Sequence, residues 1–171
     1  MPVILDYRQL PFDINKVTES GKFIGKSTYW RLFAIENMFR VVIHSVLSAQ
    51  ININWWSYVI SQDKNTQVQN MKINYRNYPG GITLPGSHDI YYLLLSDLTK
   101  IITNQRNLFI QVIPNVDQWI IKLERIRLPR NLISHMNWLN VIERNRIDTT
   151  YKEARALLRN FSNSNIAILI P

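Results

Sequence analysis

The longest regular pattern in the chain begins behind Ser27 and Thr28, either of which offers an N-cap. In "YWRLFAIENMFRVVIHSVLS", Trp30, Phe33, Ala34, Asn37, Met38, Val41 and Ser45 recur at steps of three and four, which predicts a helix over about 28–48. A second apolar stripe through Phe39, Val42, Ile43 and Val46 widens its face, so the helix should be mostly buried, in part against a second subunit. A second helix is expected from Asn52 or Asn54, carrying Trp55, Trp56, Val59 and Ile60. The stretch behind it, "SQDKNTQVQNMKINYRNYPGGITLPGS", has no stripe and holds three of the five glycines, so it reads as a surface connection with little regular structure.

Ser87 or Asp89 then caps "DIYYLLLSDLTKIITNQ", where Ile90, Leu93, Leu94, Leu98, Ile101 and Ile102 form another helical stripe. "RNLFIQVI" continues as a short helix to Pro114. Beyond it Val116, Trp119, Ile120, Leu123 and Ile126 share one face of a helix that Pro129 should bend or end near Arg127 or Leu128. Asp148 or Thr149 caps a final helix, "TYKEARALLRNF", and the tail "SNSNIAILIP" stays open between strand and packed coil. Residues 1–26, with Pro2, Pro11, Gly21 and Gly25, look like an irregular arm on a domain spanning 27–171. The expected fold class is all-α, an antiparallel bundle of about five or six helices.

Length and composition support one buried core: 171 residues, 46% of them hydrophobic. The balance of 20 Lys and Arg against 12 Asp and Glu gives +8, which favours an anionic partner such as RNA, DNA or an acidic protein. With no cysteine, and with His44, His88 and His135 far apart in the chain, no metal site is expected. Neither a GxxxxGK[ST] phosphate loop nor a GxSxG nucleophile elbow is present, so no cofactor is expected. The opening "MPVILDYRQLPFDINK" does not read as a signal peptide, and nowhere do eighteen apolar residues run together; a cytoplasmic protein with no membrane span is expected.

One cluster has the residue types for chemistry. "PRNLISH" puts Arg130, Asn131 and His135 within six positions. Metal-free RNA cleavage uses the ribose 2′-OH as nucleophile, a histidine to move protons near neutral pH and an arginine to hold the phosphate as charge builds on it. On a straight helix a spacing of five turns the chain about 140° past a full turn, so Arg130 and His135 diverge while Asn131 and His135 share a face. One such set offers a single proton-transfer group; a twofold dimer would bring two His135 and two Arg130 into one cleft. Against this stands a plain alternative: Arg125, Arg127 and Arg130 as a solvated basic face, with His135 at a helix end. Lys122, Arg125, Arg127 and the base-stacking candidate Trp138 are the expected RNA contacts. Glu36, Arg40 and His44 are candidates for the cleft, although the valines and isoleucine beside His44 favour a half-buried structural histidine. His88, in the connection, is expected to face solvent.

"RIRLPRNLISHM" resembles the RNxxxH signature of the HEPN superfamily (higher eukaryotes and prokaryotes nucleotide-binding), here Arg130, Asn131, Leu132, Ile133, Ser134 and His135. "YWRLFAIENMFRVVIHSVLS" is similar to its first long helix, with the Glu-Asn pair and following Arg of the abortive-infection and RNA-surveillance branches. "HDIYYLLLSDLTKIITNQRNLF" is similar to the middle helix of that branch; together these cover about 28–136. The resemblance implies an α-helical bundle that homodimerises and cuts single-stranded RNA or tRNA without metal, with Arg130 and His135 lining a composite cleft and Asn131 orienting them. It also implies a toxin or effector of a toxin-antitoxin or antiviral defence system, with an antitoxin or regulatory protein as a further partner. Other HEPN domains bind RNA or proteins without cutting, which leaves a binding module as the second expectation.

Overall fold

The structure is a computed structural model and describes residues 6–161, 163 and 166–171. Its elements are α1 (Ile14–Ile24), a π-helical turn (Gly25–Tyr29), α2 (Trp30–Gln50), α3 (Trp56–Val59), α4 (Gln62–Arg76), a 3-10 turn (Asp89–Tyr92), α5 (Leu95–Asn104), α6 (Arg106–Phe109), α7 (Val116–Ser134) and α8 (Val141–Phe161). Among the described residues there is no strand, so the chain is all-α, with six helices of ten residues or more and two single turns.

α2 is the central element because two of its faces are apolar. Leu32, Ile35, Phe39, Val42, Ile43, Val46 and Leu47 are all buried, each adding on the order of 1.5–3 kcal/mol of transfer free energy. They pack against α5, α6 and α8, while α7 lies on α5 and α8. Most of the wide face thus finds its partners inside this chain, while Trp30 and Phe33 stay exposed. Ser45 ties down the tail: its Oγ accepts from Leu169 N at 2.8 Å, and 166–171 run as coil.

Five expectations need correction. Within the presumed irregular arm 1–26, residues 14–24 are helical, with Asp13 Oδ1 accepting from Asn15 N at 2.9 Å as N-cap; Pro2 lies outside the described residues. A π-turn then carries α1 into α2 without a break. The carbonyls of Phe23, Lys26 and Ser27 accept from the side chains of Ser27, Trp30 and Arg31, which satisfies backbone groups that a π-turn leaves poorly paired. The continuous run Ile14–Gln50 contains a window apolar enough to cross a membrane, and 61% of that window is buried inside the fold.

The first part of the polar stretch after α3 is not a loop either, since 62–76 form α4; 77–87 are the irregular connection expected. The helix lacks a stripe because tertiary ion pairs hold it: Lys72 and Gln69 reach Asp89, and Lys64 reaches Asp97 at 3.0 Å, with Val68 its one buried residue. The helix expected at Trp55 and Trp56 shrinks correspondingly to the single turn α3.

Pro129 does not stop α7. Proline removes the donor for the Arg125 carbonyl and costs about 3 kcal/mol in a helix interior. The buried stripe Val116, Trp119, Leu123, Ile126, Ile133 continues across it, and Pro129 is itself buried, so packing on both sides offsets that cost. Finally, α8 starts at Val141, not behind Asp148. Asn140 Oδ1 accepts from Glu143 N and Glu143 Oε2 from Asn140 N, each at 2.9 Å, a reciprocal cap on the first turn.

Candidate functional site

Position 130 falls on the inward stripe of α7, one step from Ile126 and one from Ile133, which aims a guanidinium at α2. There Arg130 Nε donates to Glu36 Oε2 at 3.2 Å. The other Glu36 oxygen accepts from Arg40 Nη2 at 2.7 Å. Two guanidiniums thus share one half-buried carboxylate, and one net positive charge remains.

Arg40 is fully engaged in structure. Besides Glu36 it donates to Asn37 Oδ1 at 3.1 Å, Leu93 O at 3.0 Å and Ile90 O at 3.4 Å, fastening the 3-10 turn and the start of α5 to α2. Arg130 is not. Its two terminal amino groups have no hydrogen-bond partner among the described residues. They stand at a cleft of about 330 Å³ walled by Tyr29, Phe33, Glu36, Asn37, Arg40, Tyr91, Ile133 and Ser134, in which Glu36 is the sole acid. An oriented guanidinium with free donors in a net positive cleft can grip a phosphate through two oxygens.

His135 stands apart from this group. It is the C-cap of α7, exposed, absent from the cleft walls, and its ring has no hydrogen-bond partner among the described residues. The helix ends there in a Schellman motif: Asn137 N donates to Leu132 O and Met136 N to Ile133 O, each at 2.9 Å. The position that usually holds glycine is Met136, at φ 58°. A left-handed methionine costs about 1 kcal/mol, so this end carries strain beside the candidate proton-transfer group. Asn131 is half-buried, one turn before His135, and does not line the cleft.

The other expected residues divide clearly. His44 is buried and also outside the cleft; its Nδ1 accepts from Trp55 Nε1 at 3.1 Å. His88, expected in solvent, packs with it instead, ring centroids 4.8 Å apart, and stacks on Trp55. Its Nδ1 caps the 3-10 turn by accepting from Ile90 N at 3.1 Å. Burial holds both imidazoles below their ordinary value; His88 is lowered to about 4, with the neighbouring His44 and Lys72 adding to burial against an opposing pull from Asp89. Histidines that are distant in the chain are adjacent in space, yet among the described residues no group of three potential metal ligands forms.

Trp138 is not a free stacking platform. It stacks on Phe23 of α1 at 5.7 Å, and the Arg144 guanidinium sits 5.4 Å from its ring. Lys122 pairs with Glu153 at 2.8 Å and lies over Trp119, Arg127 pairs with Glu124 at 2.9 Å, and Arg125 is exposed. None of these four lines the cleft. The Tyr29 and Phe33 walls were missed by sequence reasoning, because an aromatic in the helical stripe of α2 reads equally well as core.

No protein-family model matches the chain, and no similar curated protein or solved structure is found.

Proposed function

We propose that the protein is a metal-independent endoribonuclease of the HEPN type, working as a homodimer, the toxin or effector of a toxin-antitoxin or antiviral defence system. The supporting observation is the state of Arg130: oriented by the half-buried Glu36 carboxylate, with its phosphate-binding edge open, five residues before an exposed histidine. Arg130 holds the scissile phosphate and stabilises charge on its oxygens. His135 exchanges the proton with the 2′-OH or the leaving 5′-oxygen, and the second copy's His135 serves the other transfer. On the outward side of α7, Leu128, Leu132 and Met136 are 62%, 39% and 84% exposed around His135, an apolar surround suited to a second copy.

One observation favours a second reading, an RNA-binding module without catalysis: His135 does not reach the cleft of its own chain. Incubating RNA with the protein and excess chelator separates the two. Cleavage is expected with the parent and should fall by on the order of a thousandfold in His135→Ala. Intact RNA with the parent, or equal cutting by both proteins, overturns the nuclease reading.

A further inference from the structure

The cations expected to meet RNA lie on α7, but most are neutralised there by Glu153 and Glu124. A different face has the surplus. On α8, Arg144, Asp148, Tyr151 and Arg155 follow at steps of four, three and four, forming one edge of the helix. That edge meets the start of α2: Asp148 pairs with Arg31 at 2.7 Å, and Tyr151 packs edge-on against Trp30 at 4.8 Å. Arg155 lies 5.6 Å from the Tyr151 ring, Arg31 4.5 Å from the Trp30 ring, and Lys152 bonds Asp148 at 2.7 Å. Lys26 precedes Trp30 by one turn and is exposed. Among the described residues Asp148 is the only carboxylate that pairs with any of Lys26, Arg31, Arg144, Lys152 and Arg155.

This face is continuous with the cleft. Trp30 sits beside Tyr29 on the same helical turn, and Phe33 follows; Tyr29 and Phe33 wall the cleft and are 56% and 64% exposed. Exposed aromatics leading from an arginine cleft onto an edge where five cations meet one carboxylate have the composition of a single-strand track, bases stacking on rings while cations follow the phosphates.

We propose that single-stranded RNA leaves the Arg130 cleft over Tyr29 and Phe33 and runs along the α2–α8 edge past Trp30, Lys26 and Arg155, not along α7. The track rests on the ribonuclease reading for its ligand. It is tested by fluorescence anisotropy of a labelled oligouridine in chelator, with His135→Ala as the uncut parent, over a salt series. Adding Lys26→Glu with Arg155→Glu should weaken binding by on the order of tenfold and flatten the salt dependence, since two phosphate contacts are lost. Phe33→Ala should weaken it by roughly five- to tenfold with the salt dependence unchanged. Arg125→Glu with Arg127→Glu should stay within about twofold. Parent-like affinity in both the Lys26/Arg155 and Phe33 variants, or a larger loss from the α7 pair, overturns the track alone. A parent that binds no RNA at any salt overturns the ribonuclease reading together with it.

Discussion

Arg130 faces the core side of α7 between buried Ile126 and Ile133, whereas His135, five residues on, projects from the helix end into solvent. The first is fixed by a chain of contacts that runs through Glu36 and Arg40 to the carbonyls of the 3-10 turn. The second is held only by its own backbone and a strained cap. One hexapeptide thus contains a group positioned by tertiary structure and a group presented outward. A phosphate clamp gains from rigid orientation, because donors fixed in advance cost no reorganisation when charge develops. A proton-transfer group that must meet a second copy gains from exposure.

The sharpest way to break this contrast is Glu36→Ala. It leaves Arg40, with its side chain 10% exposed, without its carboxylate and frees Arg130. Urea denaturation should show a loss of about 3 kcal/mol, and the RNA cleavage proposed for this site should fall by on the order of a hundredfold. His135→Ala should leave the urea midpoint within about 0.5 kcal/mol of the parent, because nothing folded depends on that ring.

Acid should act on the fixed half. His88 caps the 3-10 turn whose carbonyls hold Arg40, and the rings of His44, Trp55 and Trp56 enclose it, with Asp89 and Lys72 the charged groups nearby. Both Nδ1 atoms already accept a hydrogen bond, so protonation sets a new N–H against an existing donor and two cations against each other. Folding lowers both pKa values, so the stability these rings contribute is complete above about 6.5 and declines as pH falls toward 4. After allowance for partial burial, the fall should be on the order of 1–2 kcal/mol over that interval in pH-dependent denaturation, and should largely disappear in His88→Asn, which keeps a capping acceptor.

The smallest gain or loss expected beyond His135→Ala also belongs to the outer half. Met136→Gly relieves the left-handed backbone at φ 58° and should raise stability by about 1 kcal/mol, observed as a higher melting temperature with the fold unchanged by circular dichroism. A loss of stability would mean that the exposed methionine makes a contact worth more than its strain.

Much of the helical layout was legible because apolar side chains recurred at the helical period. The stripe of α7, that of α5 apart from exposed Leu94, and the second stripe of α2 are such cases, whereas of the first α2 stripe only Ser45 is buried, with Trp30 and Phe33 exposed. α4 was illegible for the converse reason: its support is the ion pairs to Asp89 and Asp97, and those partners sit on other elements. Helix caps at Asp13 and Asn140 are present in the sequence, but the first lies among prolines and glycines that suit an irregular arm and the second precedes another residue of capping type, Asp148. Pro129 shows a local preference overruled by burial on either side. In the site, the hexapeptide could be found from residue types, and the divergence of Arg130 from His135 followed from helical geometry.

By itself, then, the sequence determined the all-α class, the central helix and the chemistry available at Arg130, Asn131 and His135, because these depend on local period and side-chain type. Only the tertiary structure decided that Glu36 holds Arg130, that His44 and His88 lie together, and that Trp138 stacks on Phe23. Each of these joins residues distant in the chain. Which side chains meet there is set by the packing of helices on one another, and no local pattern encodes it.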